Sequence, residues 1–360
     1  GHLVLAARIF IVLSLALAGL HVHADTLSLS CNPRLETRHG TLIVDDPDAL
    51  VLLQDQQVIA AAMKLKGAER KEMLKQYFTQ RPVTGTQIGA TFLNYAVAIY
   101  MAWQIKAGMS ADPDSVMRAA IELPPTLLAS DFVSGLLHQF LDKFASESNP
   151  IWGNAARAFR IHHEYPSNLN DLSYIDNIAP FGRLMVPFYL LGAAVAPHVS
   201  PDVAFSMLTG LILFSNGSEI HRQAHLPKAN LLFRALQKIK TVLNHHDHME
   251  HHHDDHNHDF GIINGWSNGK PTNMLMKWID HAYYKATRRM PRNWIQHPET
   301  IPDYVIDDLA DDLEAIPQSL FVSALQPGNG DERVDELLRL WMEAHPANVD
   351  TSGGDNAPNP

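Results

Sequence analysis

Apolar residues fall along this chain in long, nearly unbroken runs. Residues 3–20 form the first run, interrupted only by Arg8 and Ser14 and followed by His21-Val22-His23-Ala24-Asp25, which is small enough near Ala24 for signal cleavage. Residues 1–24 therefore read as a signal peptide or an N-terminal anchor. Residues 25–84 read as a soluble segment, with helical apolar spacing over 50–68 behind Asp46-Pro47-Asp48. Residues 88–105 carry no charge and include Tyr95, Tyr100 and Trp103. At 1.5 Å per residue, that stretch reaches about 27 Å, close to the hydrocarbon thickness of a bilayer. A second candidate span, 119–140, carries Glu122, Pro124-Pro125, Asp131 and His138; 184–196 is a short third and 203–217 a fourth. The pattern predicts an all-α, integral-membrane bundle of about four spans in two hairpins, turning at 108–115 and 197–202.

Neither turn holds a Lys or Arg, whereas the opposite side carries Arg157, Arg160, Arg222, Lys228, Arg234, Lys238 and Lys240. The positive-inside rule makes that opposite side cytoplasmic. A signal peptide cleaved near Ala24 would export the same side, so the two signals conflict; the charge bias favours the cytoplasm. Residues 301–360 are acidic and end in a tail rich in Gly, Asn and Pro, a composition that favours disorder.

Composition narrows the function. The chain has 360 residues, 46% hydrophobic and 19% charged, which excludes both disorder throughout and a chain that is mostly membrane. A formal net charge of -11 disfavours nucleic acid as a partner. One cysteine, Cys31, excludes an internal disulfide and any cysteine-based zinc or iron–sulfur cluster. The 21 histidines are the outlying count.

These histidines are grouped. Asp131 and His138 lie seven residues apart, two turns along one face of the second span. An ionisable group inside a span is a functional candidate by default, although a satisfied core pair fits as well. His162-His163 follows. His221 and His225 leave the fourth span at i, i+4, within reach of one metal from a single helix face. The run from 245 to 258 resembles a flexible metal-scavenging loop, yet it admits only one HxxHH reading: His248, His251 and His252, with His256 continuing that face. His245, His246 and His258 fall outside it.

The sets follow the second and fourth spans and so emerge on one side of the membrane, as a histidine-rich helical cap. Eight or nine imidazoles exceed one tetrahedral zinc and suit two metal ions in an all-nitrogen shell. Abstracting hydrogen from an unactivated C–H bond needs a strong oxidant, which iron with O₂ supplies. Asp131 is a candidate acceptor that orients a ligand imidazole.

The order of motifs, D-x6-H, HH, E-x-H-x3-H, HxxHH-x3-H and then Phe260 through Asn264-Gly265-Trp266-Ser267-Asn268, resembles the lipid desaturase family that contains plasmanylethanolamine desaturase and the plastid palmitate Δ3-trans desaturase acting on phosphatidylglycerol. Met290-Pro291-Arg292-Asn293-Trp294 is similar to the segment that follows in the plastid branch. The resemblance covers roughly 85–300. It implies an integral-membrane desaturase with two Fe ions held by His138, His162, His163, His221, His225, His248, His251, His252 and His256. It also implies O₂ as co-substrate, a membrane lipid as substrate, and an electron donor such as cytochrome b5 or ferredoxin. Hydroxylation would use the same metal chemistry. The competing class is a histidine-rich metal transporter or buffer, which predicts polar residues facing one another within the spans.

Overall fold

In a computed structural model of the chain, the described residues are 34–37, 40–43, 55, 58, 59, 61–253, 257–296 and 300–305. The N-terminal apolar run, His256 and the acidic C-terminal segment beyond 305 lie outside them. Two short strands, β1 (Arg34–Thr37) and β2 (Gly40–Ile43), pair antiparallel with Arg34 opposite Ile43. Everything else with regular structure among the described residues is helical.

After α1 (Gly67–Tyr77), the long helices begin with α2 (Gly85–Ala111). Its start is fixed by a capping box: the Gln87 amide donates to Thr84 Oγ1 (3.3 Å), and the Thr84 amide donates to Gln87 Oε1 (2.9 Å). α3 (Asp114–Lys143) runs through Pro124-Pro125 without breaking. α5 (Tyr174–Val195) starts on the Ser173 cap, and α6 (Pro201–Ser215) has proline at its first position, where no amide is needed. Between α3 and α5 lies α4 (Gly153–Glu164). α6 continues into α7 (Gly217–His225) across a bend of 51°.

Two helices are long and apolar enough to cross a membrane, 85–111 and 174–198, or three if the bent pair α6–α7 counts as one. α3 has the length but is not in that set. The bundle's polarity is inverted relative to that of a water-soluble one. Ile99, Trp103 and Ile121 are 71%, 67% and 69% exposed, while Gln87, Asn94, Ser130, Asp131 and Gln139 are buried inside. An outward apolar surface of this extent fits lipid.

Consecutive helices α2 and α3 touch little; α2 packs along α5 and α6, and α3 along α6. The hairpins therefore interleave. Where α2 crosses α5, a Cβ at Gly182 would stand 2.3 Å from Thr91 Oγ1 and 2.6 Å from the Gln87 carbonyl. Asn94 Nδ2 donates to the Gly182 carbonyl at 2.8 Å. A Gly182→Ala chain is expected to lose about 2 kcal/mol of stability through this overlap, read as a lowered melting temperature in detergent.

The two predicted turns meet at one end of the bundle. Arg118 bridges Asp112 of the first and Asp202 of the second. Since α3 and α6 both run away from these turns, their C-termini share the opposite end. That end is closed by α8 (Leu231–Lys238), α9 (His245–His253), α10 (Lys270–Thr287) and α11 (Arg292–Gln296). Leu141, Trp152, Phe159, Phe181, Ile220, Leu243 and Ile263 form the core there.

Candidate metal centre

Four helices deliver imidazoles to one buried spot at this end. α3 brings His138 near its C-terminus, and α4 brings His162 and His163. Arg160, one turn earlier on α4, is buried between Glu147 and Asp55 and so locks that helix. α7 brings His221 and His225 from one face. α9 brings His248, His251 and His252.

The side chains form two adjacent groups. His162, His221, His225, His248 and His252 make the first; His138, Asp142, His163 and His251 make the second, with all ligand atoms in each within 4.8 Å of one another. In the first group, the Nε2 atom of His248 lies 2.8 Å from those of His221 and His225 and 3.1 Å from that of His252. Nitrogens about 2.1 Å from a shared cation stand roughly 3.0–3.4 Å apart, so this spacing fits a metal ion. The groups abut: the His162 and His163 rings are 4.4 Å apart, and His138 and His221 5.4 Å.

Hydrogen bonds on the far side of two rings set their protonation. His138 Nδ1 lies 2.9 Å from the Phe260 carbonyl, and His251 Nδ1 lies 2.6 Å from the His258 carbonyl. A carbonyl only accepts, so Nδ1 carries the proton in each and Nε2 is left to face the centre. Asp142 Oδ2 then stands 3.1 Å from His138 Nε2 and 3.2 Å from His163 Nε2. His138 Nε2, His162 Nε2 and both Asp142 oxygens are buried without hydrogen-bond partners. A bare imidazole lone pair against a carboxylate oxygen is a repulsive arrangement that a cation relieves.

Of the residues singled out in the sequence, eight histidines fall into the two groups; His256 lies outside the described residues. His245, His246 and His258 stand apart from both groups. The His245 Nδ1 donates to the Ala224 carbonyl (2.7 Å), while His246 is exposed beside Asp247 and Glu250. Asp131 meets a loop rather than an imidazole. Its Oδ1 accepts from the amides of Ile263, Asn264 and Gly265 (3.0, 2.8 and 3.0 Å), and its Oδ2 accepts from the Ser267 amide and hydroxyl (2.9 and 2.6 Å). The loop so held presents the Phe260 carbonyl to His138. Asp142 was not anticipated, and it makes the second group mixed where an all-nitrogen shell was expected. Its one sequence signal is position i+4 from His138.

Burial, and then the neighbouring imidazoles, hold His162, His248 and His251 well below the usual histidine pKa. The unfolded chain therefore binds more protons than the folded one as pH falls below about 6.5. Metal-free protein is expected to lose stability on acidification from that point, in a thermal-melt series from pH 8 to 5. A flat profile would contradict neutral burial of the cluster.

A helical bundle with an apolar outer face and a buried polyhistidine cluster at one end is a build suited to a membrane protein that holds metal ions. Residues 127–294, just under half of the chain, match the lipid desaturase domain. The chain is 26% identical over 171 residues to fatty acid desaturase 4, chloroplastic, of Arabidopsis thaliana, covering 46% of this chain and 52% of that one. Plasmanylethanolamine desaturase of Myxococcus xanthus is 28% identical over 152 residues, 41% of this chain and 53% of that one. Plasmanylethanolamine desaturase 1 of Mus musculus is 29% identical over 181 residues, with 46% and 65% covered. The chain thus matches about half the length of the first two relatives. No solved structure matches it.

Proposed function

We propose that this protein is an O₂-dependent, di-iron lipid desaturase whose domain spans 85–300. The observation that carries the reading is the pair of abutting groups of buried imidazoles at one end of an apolar-faced bundle. Iron is the metal best suited to those donors for oxidative chemistry. His162, His221, His225, His248 and His252 would hold one ion, and His138, Asp142, His163 and His251 the other. Once bound, the metal supplies the oxidant needed to cleave unactivated C–H bonds. Forming one double bond removes two hydrogens from the chain; with two electrons and two protons from a donor, one O₂ leaves as two waters.

The protein's own share is placement. Phe159 and Phe260 pack beside the imidazoles, with Phe181 against Phe159 behind them, and keep water away. The carbonyls of His258 and Phe260 hold two rings in one tautomer. The substrate we favour is a phospholipid fatty acyl chain, with vinyl-ether formation in a plasmalogen as the second choice, and the electron donor is a small redox protein such as cytochrome b5 or ferredoxin. Metal transport is disfavoured: Asp131 is spent on the 263–267 loop, and Glu122 accepts from Ser206 (3.1 Å), so neither lines a path through the bundle.

Lipid analysis of a host expressing the chain tests the activity: a new unsaturated species is expected, and its absence under aerobic conditions with iron-loaded protein would sink the reading. We place the centre on the cytoplasmic side. In a Cys31→Ser background, a cysteine at exposed Ser110 should react with an impermeant thiol reagent in intact cells and one at exposed Ser167 should not. The reverse pattern would place the centre outside.

A further inference from the structure

Residues 257–268 contribute no imidazole to either group, yet they cross the end of the bundle directly over the second one. Two alternate carbonyls of this strap, at His258 and Phe260, receive the Nδ1 protons of His251 and His138. The strap's C-terminal half is fixed by Asp131, and a Cβ at Gly261 would stand 2.5 Å from Asp131 Oδ2, so only glycine allows the approach. Its N-terminal half is fixed by something else. Lys143, the last residue of α3, is buried; its Nζ donates to Asp280 Oδ2 (2.7 Å) and to Asn257 Oδ1. The same ammonium stands 4.9 Å from the centre of the Phe260 ring. Gln139 closes the arrangement, donating to Asp280 Oδ1 and the Met276 carbonyl, each at 2.7 Å. One buried cation therefore touches the strap at 257 and 260, on both sides of the carbonyl at 258.

Stability does not account for this pair. Two charges buried at this depth cost as much in desolvation as their attraction returns, and apolar replacements of both are often neutral or stabilising. What an apolar pair cannot do is hold Asn257 and the Phe260 ring at a set height above the imidazoles.

We propose that Lys143 is a positioning residue for the second metal group: through Asn257 and the Phe260 ring it fixes the height of the strap, so that the carbonyls of 258 and 260 keep His251 and His138 with Nε2 bare and aimed at the ion. This inference rests on the metal-centre reading above and divides that centre's behaviour in two. Lys143 reaches the second group alone, so its loss falls on one ion and spares the other.

The test is a cobalt(II) titration of the full-length, metal-free protein in detergent, followed by visible d–d absorption, for wild type and two variants. Lys143→Met combined with Asp280→Leu removes both charges at similar volume; Asn257→Ala keeps the ion pair and cuts its tie to the strap. Wild type is expected to bind two ions tightly. Each variant should bind the first as wild type does and the second about 10–100-fold more weakly, the usual cost of losing a partner that orients a ligand. The melting temperature of the metal-free protein should fall only slightly in Asn257→Ala, because Lys143 keeps its bond to Asp280. Wild-type affinity for both ions in Asn257→Ala would overturn the proposal, even if the double variant fails to fold. Equal weakening of both ions would overturn it too, as a general loosening of the fold. Wild-type protein that binds no cobalt at all would overturn the metal-centre reading and this inference with it.

Discussion

Replacing His221 with alanine is expected to lower desaturated lipid product by at least ~100-fold and to cut the iron content of purified protein well below two per chain. The position explains the size of the effect. His221 Nε2 lies 2.8 Å from His248 Nε2 and 3.2 Å from His225 Nε2. Its ring also stands 4.5 Å from His162 and 5.4 Å from His138, so it sits at the junction of the two groups. Losing a ring there opens a coordination position in one group and leaves a void beside the other. Losses of about 10–100-fold in metal affinity are usual for partners that only orient a ligand, so a ligand itself should cost more. His246→Ala, whose side chain is 83% exposed, is the matched control and should keep both product and iron. Full product from His221→Ala would mean that the cluster is not the reaction centre.

Asp131→Ala should have the largest effect on the fold. One buried carboxylate satisfies four backbone amides and a hydroxyl from residues 263–267. Each buried donor left without an acceptor costs about 1–3 kcal/mol. Even with partial relaxation, the loss should reach at least ~4 kcal/mol, a large part of a typical domain's stability. Folded protein recovered from membranes should fall steeply. Asp131→Asn keeps an acceptor for the Oδ1 amides and should lie between alanine and wild type. A wild-type melting temperature for Asp131→Ala would show that the strap is held by other contacts.

Much of this arrangement was legible in the sequence because helices repeat. The i, i+4 spacing of His221 and His225 and the HxxHH spacing of 248, 251 and 252 select side chains that α7 and α9 turn toward one another. Long apolar runs locate the helices, and turns free of basic residues mark the end away from the histidines. Asp142 was not legible, since a single carboxylate four residues after His138 looks like any polar position near a helix end. Lys143 and Asp280 were hidden for a different reason: they are 137 residues apart, and no local pattern relates them. The role of Asp131 was half visible. A carboxylate inside a candidate span demands a partner, but that its partners are backbone amides depends on a fold that brings 263–267 across α3. Pairing of the helices was also unreadable, because hydropathy gives lengths and not neighbours, and α2 lies against α5 rather than α3.

The amides that cap Asp131 come from residues 132–136 positions later in the chain. A ribosome adding about 5–20 residues per second needs roughly 7–27 s to make them. For most of that interval α3 is complete, with the Asp131 carboxylate midway along it and the strap amides not yet made. Chains ended between α3 and the strap should therefore be recovered from membranes less well than longer ones. Termination anywhere before Ile263 leaves a product that cannot bury its own helix. Arrival of the strap satisfies that carboxylate and, with the same segment, brings the carbonyls of His258 and Phe260 to His251 and His138.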